Sequence, residues 1–112
     1  MNLNWLFSIK KPVQMKMYVL VLNCLEDKYK IIQGSHALSK FSIEHRITFN
    51  VWNNETIVYL GVRTPIELMQ WRDKLLFKKK LISCFREPDL FNMLTGIACY
   101  DDGKIFKSLK LA

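Results

Sequence analysis

The chain lacks the common signatures of nucleotide and metal chemistry. No Gly-x-Gly-x-x-Gly or Walker-type loop is present, so no nucleotide cofactor is expected, and no Gly-x-Ser-x-Gly elbow supports a serine hydrolase. Cysteine is limited to Cys24, Cys84 and Cys99, with no Cys-x-x-Cys spacing. An odd, unclustered set fits reduced thiols buried in strands better than a disulfide framework or a zinc site. His36 and His45 have no partners at metal-ligand spacing, so no metal is assigned. No apolar run reaches the roughly 20 residues needed to cross a bilayer. The amino-terminal Asn2 to Ile9 stretch is too short, and lacks the charged start, for a secretory signal. A cytoplasmic protein with no membrane partner is the expectation. Internal repeats and low-complexity segments are also missing.

What is present is a chain of 112 residues, half of them hydrophobic. That is enough for one core and too little for two ordinary domains. Residues 1–15 carry Lys10-Lys11-Pro12 between small apolar groups and read as an amino-terminal extension, with residues 16–112 as a single domain. The net charge of +7 favours an anionic partner, nucleic acid ahead of a membrane surface.

Lys16 to Cys24 is rich in strand formers and is read as a buried strand, followed by a crossing over Glu26 to Tyr29 and a helix entered near Gln33. One helix is expected to about Phe41 and a second to about Trp52, with a break at Ser42. Thr56 to Val62 is nearly free of polar interruption, which predicts a strand covered on both faces. Thr64-Pro65 with Glu67 predicts a capped helix start, continued by Ile66, Leu68, Met69, Leu75 and Leu76. Two further strands are expected at Leu81 to Arg86 and Leu94 to Tyr100. Asp101-Asp102-Gly103 is then read as a hairpin turn into an edge strand Lys104 to Lys107. This order predicts an α/β fold: a three-layer α/β/α sandwich around a small mixed sheet of four strands plus a C-terminal edge strand.

Two polar clusters interrupt the apolar pattern. The first, Gln33-Gly34-Ser35-His36, is expected at a strand-to-helix junction where backbone amides could bind an anion. Ser35 and His36 are adjacent, so their side chains diverge on a helix and form no nucleophile-base dyad. The second is the loop Arg86-Glu87-Pro88-Asp89-Leu90-Phe91-Asn92-Met93-Leu94-Thr95, which turns between two apolar strands. If the strands preceding these clusters were parallel neighbours, the clusters would meet outside the carboxyl ends of the sheet. The cations Arg72, Lys74, Lys78, Lys79 and Lys80, with Lys28, Lys30, Lys40, Lys104, Lys107 and Lys110, could track phosphates, although a basic helix end is more often simply solvated. No RNP-type aromatic pattern accompanies them.

From Met17 to about Ala98, these residues resemble the type 2 peptidyl-tRNA hydrolases, the archaeal and eukaryotic-type family. The likeness rests on the strand Tyr18 to Leu22, on Lys30 to Ala37 as that family's Gln-Cys-Ser-His-Ala helix start, and on Trp52 ahead of the strand Ile57 to Val62. Phe85 to Asp89 and Leu94 to Ala98 take the place of its Asp-Ala-Gly loop and last strand. The chain departs from the pattern where the family lysine stands, four residues before the glutamine: Tyr29 is there, flanked by Lys28 and Lys30. The Asp-Ala-Gly triplet is absent, and Asp89 matches the family aspartate by role.

The resemblance implies hydrolysis of the ester of peptidyl-tRNA, without metal or cofactor. It implies Lys30, His36, Asp89 and Thr95 as catalytic residues: Lys30 for electrostatic stabilisation, His36 and Asp89 to orient or deprotonate water, and Thr95 to position it. Lys28, Gln33, Ser35, Arg86 and Asn92 would bind substrate. The partner would be tRNA. Apolar edge strands would permit a homodimer, and the extension offers a protein partner a place to dock. The competing expectation is a non-catalytic RNA- or protein-binding relative of the same fold.

Overall fold

The computed structural model describes residues 13–112, so most of the expected extension lies outside the described residues. Along the chain the elements are β1 (Lys16–Leu22), α1 (Asp27–Glu44), α2 (Arg46–Trp52), β2 (Ile57–Val62), α3 (Pro65–Phe77), β3 (Ile82–Glu87), β4 (Met93–Asp101) and β5 (Lys110–Leu111), with short 3-10 turns at Pro88–Leu90 and Lys104–Phe106. The strands form one mixed sheet in the order β3-β4-β1-β2-β5. An α/β fold is therefore observed, with five strands.

The central strand shows why the sheet must be covered twice. Met17, Val19 and Val21 pack under α1 with Ala37, Phe41 and Trp52. Tyr18, Leu20 and Leu22 pack on the other face with Leu68 and Leu75 of α3 and with Phe106. Alternate residues of a strand point to opposite faces, so an unbroken apolar strand demands two layers. β1 pairs with β2 in parallel and with β4 antiparallel, and β4 pairs antiparallel with β3. β1, β2 and β3 consequently run the same way, and their carboxyl ends share one edge. β1 and β3 do not meet the condition of being parallel neighbours: they run parallel, but β4 lies between them.

Several expectations are corrected. α1 starts at Asp27, well before Gln33, and runs through Ser42 to Glu44 before breaking at His45. Gln33 to His36 thus lie inside a helix whose amides are already bonded, so no free amide nest exists there. Of the apolar residues assigned to α3, only Leu68 and Leu75 are buried, while Ile66, Met69 and Leu76 are exposed. Its start is as read: the Thr64 hydroxyl accepts the Glu67 N–H at 3.1 Å, with Pro65 in the first turn. The segment Lys104 to Lys107 is not a hairpin strand. Gly103, at φ 88°, turns the chain into a 3-10 turn that seats Phe106 in the core, and the edge strand is Lys110–Leu111, paired with β2. Cys24 lies in an exposed turn after β1 rather than in a strand, whereas Cys99 is buried in β4.

At the opposite edge, β3 presents outward carbonyls. Lys40 Nζ donates to the carbonyl of Cys84 at 2.9 Å, and His45 Nε2 donates to that of Ile82 at 2.8 Å. A carbonyl only accepts, so this His45 nitrogen carries the proton.

Candidate functional site

The site is built around an irregularity in β4. Pairing with β3 runs Phe85↔Gly96 and then Arg86↔Leu94, which leaves Thr95 as an extra, bulged residue. Leu94 and Ile97 both belong to the core beneath α3. Two residues, Thr95 and Gly96, therefore stand between them on the α1 side, where a regular strand would place only one. Gly96 lets the helix close in: a Cβ there would lie 2.8 Å from the Gln33 carbonyl oxygen and 3.2 Å from Ala37 Cβ. Thr95, completely buried, donates its hydroxyl to Gln33 Oε1 at 2.6 Å.

Gln33 continues the chain of bonds, its Nε2 donating to Glu87 Oε2 at 2.9 Å. The other Glu87 oxygen accepts the backbone N–H of Asp89 at 3.3 Å. An ionised carboxylate accepts only, so it fixes the orientation of the Gln33 amide and directs the Thr95 hydroxyl toward Oε1. A loop after β3, a helix and a bulged strand are thus joined by one polar chain, Thr95–Gln33–Glu87.

This chain borders an open cavity of about 500 Å³ lined by Leu25, Tyr29, Ile32, Gln33, His36, Glu87, Asp89 and Leu90. Tyr29, Ile32, Gln33 and His36 recur at helical spacing and form one face of α1. The His36 ring is stacked on Phe85, with centroids 4.5 Å apart and planes 16° from parallel. Beyond the rim, Phe91 and Asn92 both adopt positive φ, and the Asn92 N–H closes the loop onto the Glu87 carbonyl at 3.0 Å.

Of the residues singled out in the sequence, the structure brings Gln33, His36, Asp89 and Thr95 to this cavity or directly behind it. It places the others elsewhere. Lys30 Nζ is bonded to Asp27 at 3.2 Å. Lys28 pairs loosely with Glu26 and reaches the site only through Tyr29, its Nζ 5.0 Å from the ring centroid. Ser35 is exposed and does not line the cavity, and Arg86 donates to the Asn92 carbonyl at 3.3 Å. Asn92 contributes that carbonyl at the loop end, outside the cavity lining.

Sequence reasoning gave no role to Glu87, Tyr29 and Phe85. The signal for Tyr29 was its position one helical turn before Gln33, readable once the helix is known to begin at Asp27. The signal for the bulge was Gly96 inside an otherwise apolar strand. Thiol chemistry is not poised in the core: burial pushes the Cys84 thiol up, and it pushes that of Cys99 up to about 12. Among the described residues, no three His, Cys, Asp or Glu side chains are grouped to hold a metal ion, and no helix is long and apolar enough to cross a membrane.

No protein-family model and no curated protein matches the chain. Among solved structures it is similar to a protein of unknown function from Agrobacterium tumefaciens strain C58, with a TM-score of 0.66 at 17% identity, over 88% of this chain and 97% of that one. At that identity the likeness is one of fold.

Proposed function

We propose that the cavity at the carboxyl ends of β1 and β3 hydrolyses a carboxylic ester, the acyl linkage of peptidyl-tRNA being its substrate. The observation that carries this reading is the Thr95–Gln33–Glu87 chain, which fixes an amide in a cavity lining that also holds His36 and Asp89. Ester hydrolysis needs a positioned water, a group to take its proton and a donor for the developing oxyanion. In this reading His36, held flat against Phe85, accepts the proton, while Asp89 orients the imidazole or the water. One Gln33 amide hydrogen bonds Glu87, and the second faces the reacting oxygen. The apolar Leu25, Ile32 and Leu90 receive the acyl group, and lysines outside the cavity hold the RNA backbone. A substrate of translation places the activity in the cytoplasm.

The test is release of peptide from purified peptidyl-tRNA. Wild-type protein should release it. His36→Ala and Gln33→Ala should each lower turnover about a hundredfold, the usual effect of losing one preorganised group, with the fold retained by circular dichroism. Unchanged release in both variants would remove the assignment.

A second reading, a non-catalytic RNA-binding relative, is favoured by one observation: Tyr29 fills the cavity position one turn before Gln33, and Lys30 is bonded to Asp27 instead. Salt-sensitive tRNA binding without peptide release would select it.

A further inference from the structure

The end of the sheet away from the cavity gathers most of the molecule's charge. Residues 72–80 and 101–110 hold eight lysines and arginines against three aspartates, a net +5 of the chain's +7. The fold joins these two segments. Lys80 Nζ is 2.7 Å from Asp101, and Phe106, between Lys104 and Lys107, lies against Trp71 of α3 with ring centroids 5.4 Å apart. Lys74 Nζ stands 4.8 Å from the centroid of the same Trp71 ring. Asp73 is paired with Arg72 and Asp101 with Lys80, so Lys74, Lys78, Lys79, Lys104 and Lys107 have no ion pair among the described residues.

Large apolar side chains are exposed amid these cations. Phe77 is 82% exposed, Leu76 55% and Leu81 46%, and Lys78-Lys79-Lys80 separates Phe77 from Leu81. α3 leaves its last turn through a left-handed residue at φ 57°, a place that glycine fills most readily, and here it is Lys79. Trp5, Leu6, Phe7 and Ile9, followed by Lys10-Lys11, repeat this composition, and the chain enters the sheet at the same end, where Lys16 is the partner of Asp101. Apolar surface in water and crowded like charges are both unfavourable, and one partner can relieve both. A nucleic-acid backbone would neutralise the lysines and leave Phe77 and the leucines in water. An anionic bilayer offers acidic headgroups with acyl chains just beneath them, and so meets both.

We infer that the turn Leu76 to Leu81 seats the protein on an anionic phospholipid surface. Leu76, Phe77 and Leu81 enter the acyl boundary, Lys78 and Lys79 meet the headgroups, and Lys74, Lys104 and Lys107 add to the attraction. This is attachment at a surface: no helix of the described residues is long and apolar enough to span. The cavity lies at the other end of β3, a strand of six residues, about 20 Å away. A seated molecule therefore keeps the cavity clear of the lipid, and the inference is independent of what the cavity does.

The test is sedimentation of the full chain with vesicles of phosphatidylcholine alone and with about a third phosphatidylserine. Binding should require the anionic lipid and weaken with added salt. Lys78→Gln/Lys79→Gln should weaken it about twentyfold, from about fivefold for each lysine at such a surface. Lys28→Gln/Arg46→Gln removes the same charge from exposed sites on the helices of the other face, and should cost much less. Phe77→Ser should weaken binding about tenfold, the lower end for burying a phenylalanine, and should leave the exposed site folded by circular dichroism. No binding to the anionic vesicles, equal losses in the two charge-removing variants, or binding unmoved by Phe77→Ser would each overturn the inference. Duplex RNA bound through Lys78 and Lys79, with no vesicle binding, would assign the patch to nucleic acid instead.

Discussion

Strand β4 is tied to the rest of the molecule by a polar anchor at each end, and the two anchors are built differently. At its amino end the tie is a neutral hydroxyl, Thr95, bonded to an amide that goes on to a carboxylate in a cavity wall. At its carboxyl end the tie is ionic. Buried Asp101 accepts from Lys80 Nζ at 2.7 Å, and its second oxygen takes the Gly103 N–H at 3.1 Å. The ionic anchor is consumed by the fold, since each carboxylate oxygen has a partner from the chain. The neutral anchor ends on groups that still have bonding capacity and open space before them. Buried polar groups therefore have to be sorted by where their chain of bonds ends, and only one of these two ends at a place for a ligand.

The comparison can be broken most sharply at the ionic end. Asp101→Ala leaves the Gly103 N–H unpaired and Lys80 without its counter-ion, and should cost about 3 kcal/mol in chemical denaturation, near the lower end for a broken buried pair because Lys80 is partly solvated. Release of peptide from peptidyl-tRNA should be unchanged while the variant stays folded, and a loss of release would show that the two ends are coupled. Thr95→Val should cost less, about 2 kcal/mol, as expected for one buried acceptor left unsatisfied. It should also release the Gln33 amide and lower peptide release, and a variant that kept full release would show that the hydroxyl serves the fold alone.

A third difference is the response to alkali. Burial holds the Cys99 thiol at about 12. The Lys80 ammonium is held above its ordinary value by its bond to Asp101, and the Tyr18 hydroxyl is raised by burial and by the nearby Asp101 and Asp102 carboxylates. All three groups keep protons longer in the folded chain than in the unfolded one. Their stabilisation is thus complete at neutral pH and declines as pH rises. Above about pH 9 the unfolded Cys99 thiol ionises first, and stability should fall by about 1.4 kcal/mol per pH unit from this group. Cys99→Ala should flatten that slope in denaturation curves taken across the alkaline range. An unaltered slope would move the alkaline sensitivity away from this end of the sheet.

The parts of the fold that were legible in the sequence are those whose signals are local. β1 to β4 show continuous apolar runs, and α3 carries its cap in Thr64-Pro65. The start of α1 was not legible because Glu26 offers no side-chain cap bond and the first turns lie at the sheet margin, where Ile31 and Ile32 remain exposed and no apolar stripe forms. β5 is two residues whose strand character exists only through β2. In the site, Gln33, His36, Asp89 and Thr95 stood out because they fall in the two polar clusters that interrupt the apolar pattern. The lysines could not be placed from sequence, since long side chains choose among nearby carboxylates and carbonyls that only the tertiary structure supplies. The bulge at Thr95 inverts which face a residue occupies, a change that strand alternation cannot foresee.

The side chains that cap β3 have a consequence for how the protein fails. An open edge strand is a template for another chain, and here Lys40 and His45 close part of it from the later turns of the helix that carries Gln33 and His36. Fraying of α1 from its carboxyl end would strip this cover before it reached the cavity. A form opened in this way presents the β3 carbonyls to a second chain while the cavity is still intact, and loss of the protein on storage should steepen with its concentration.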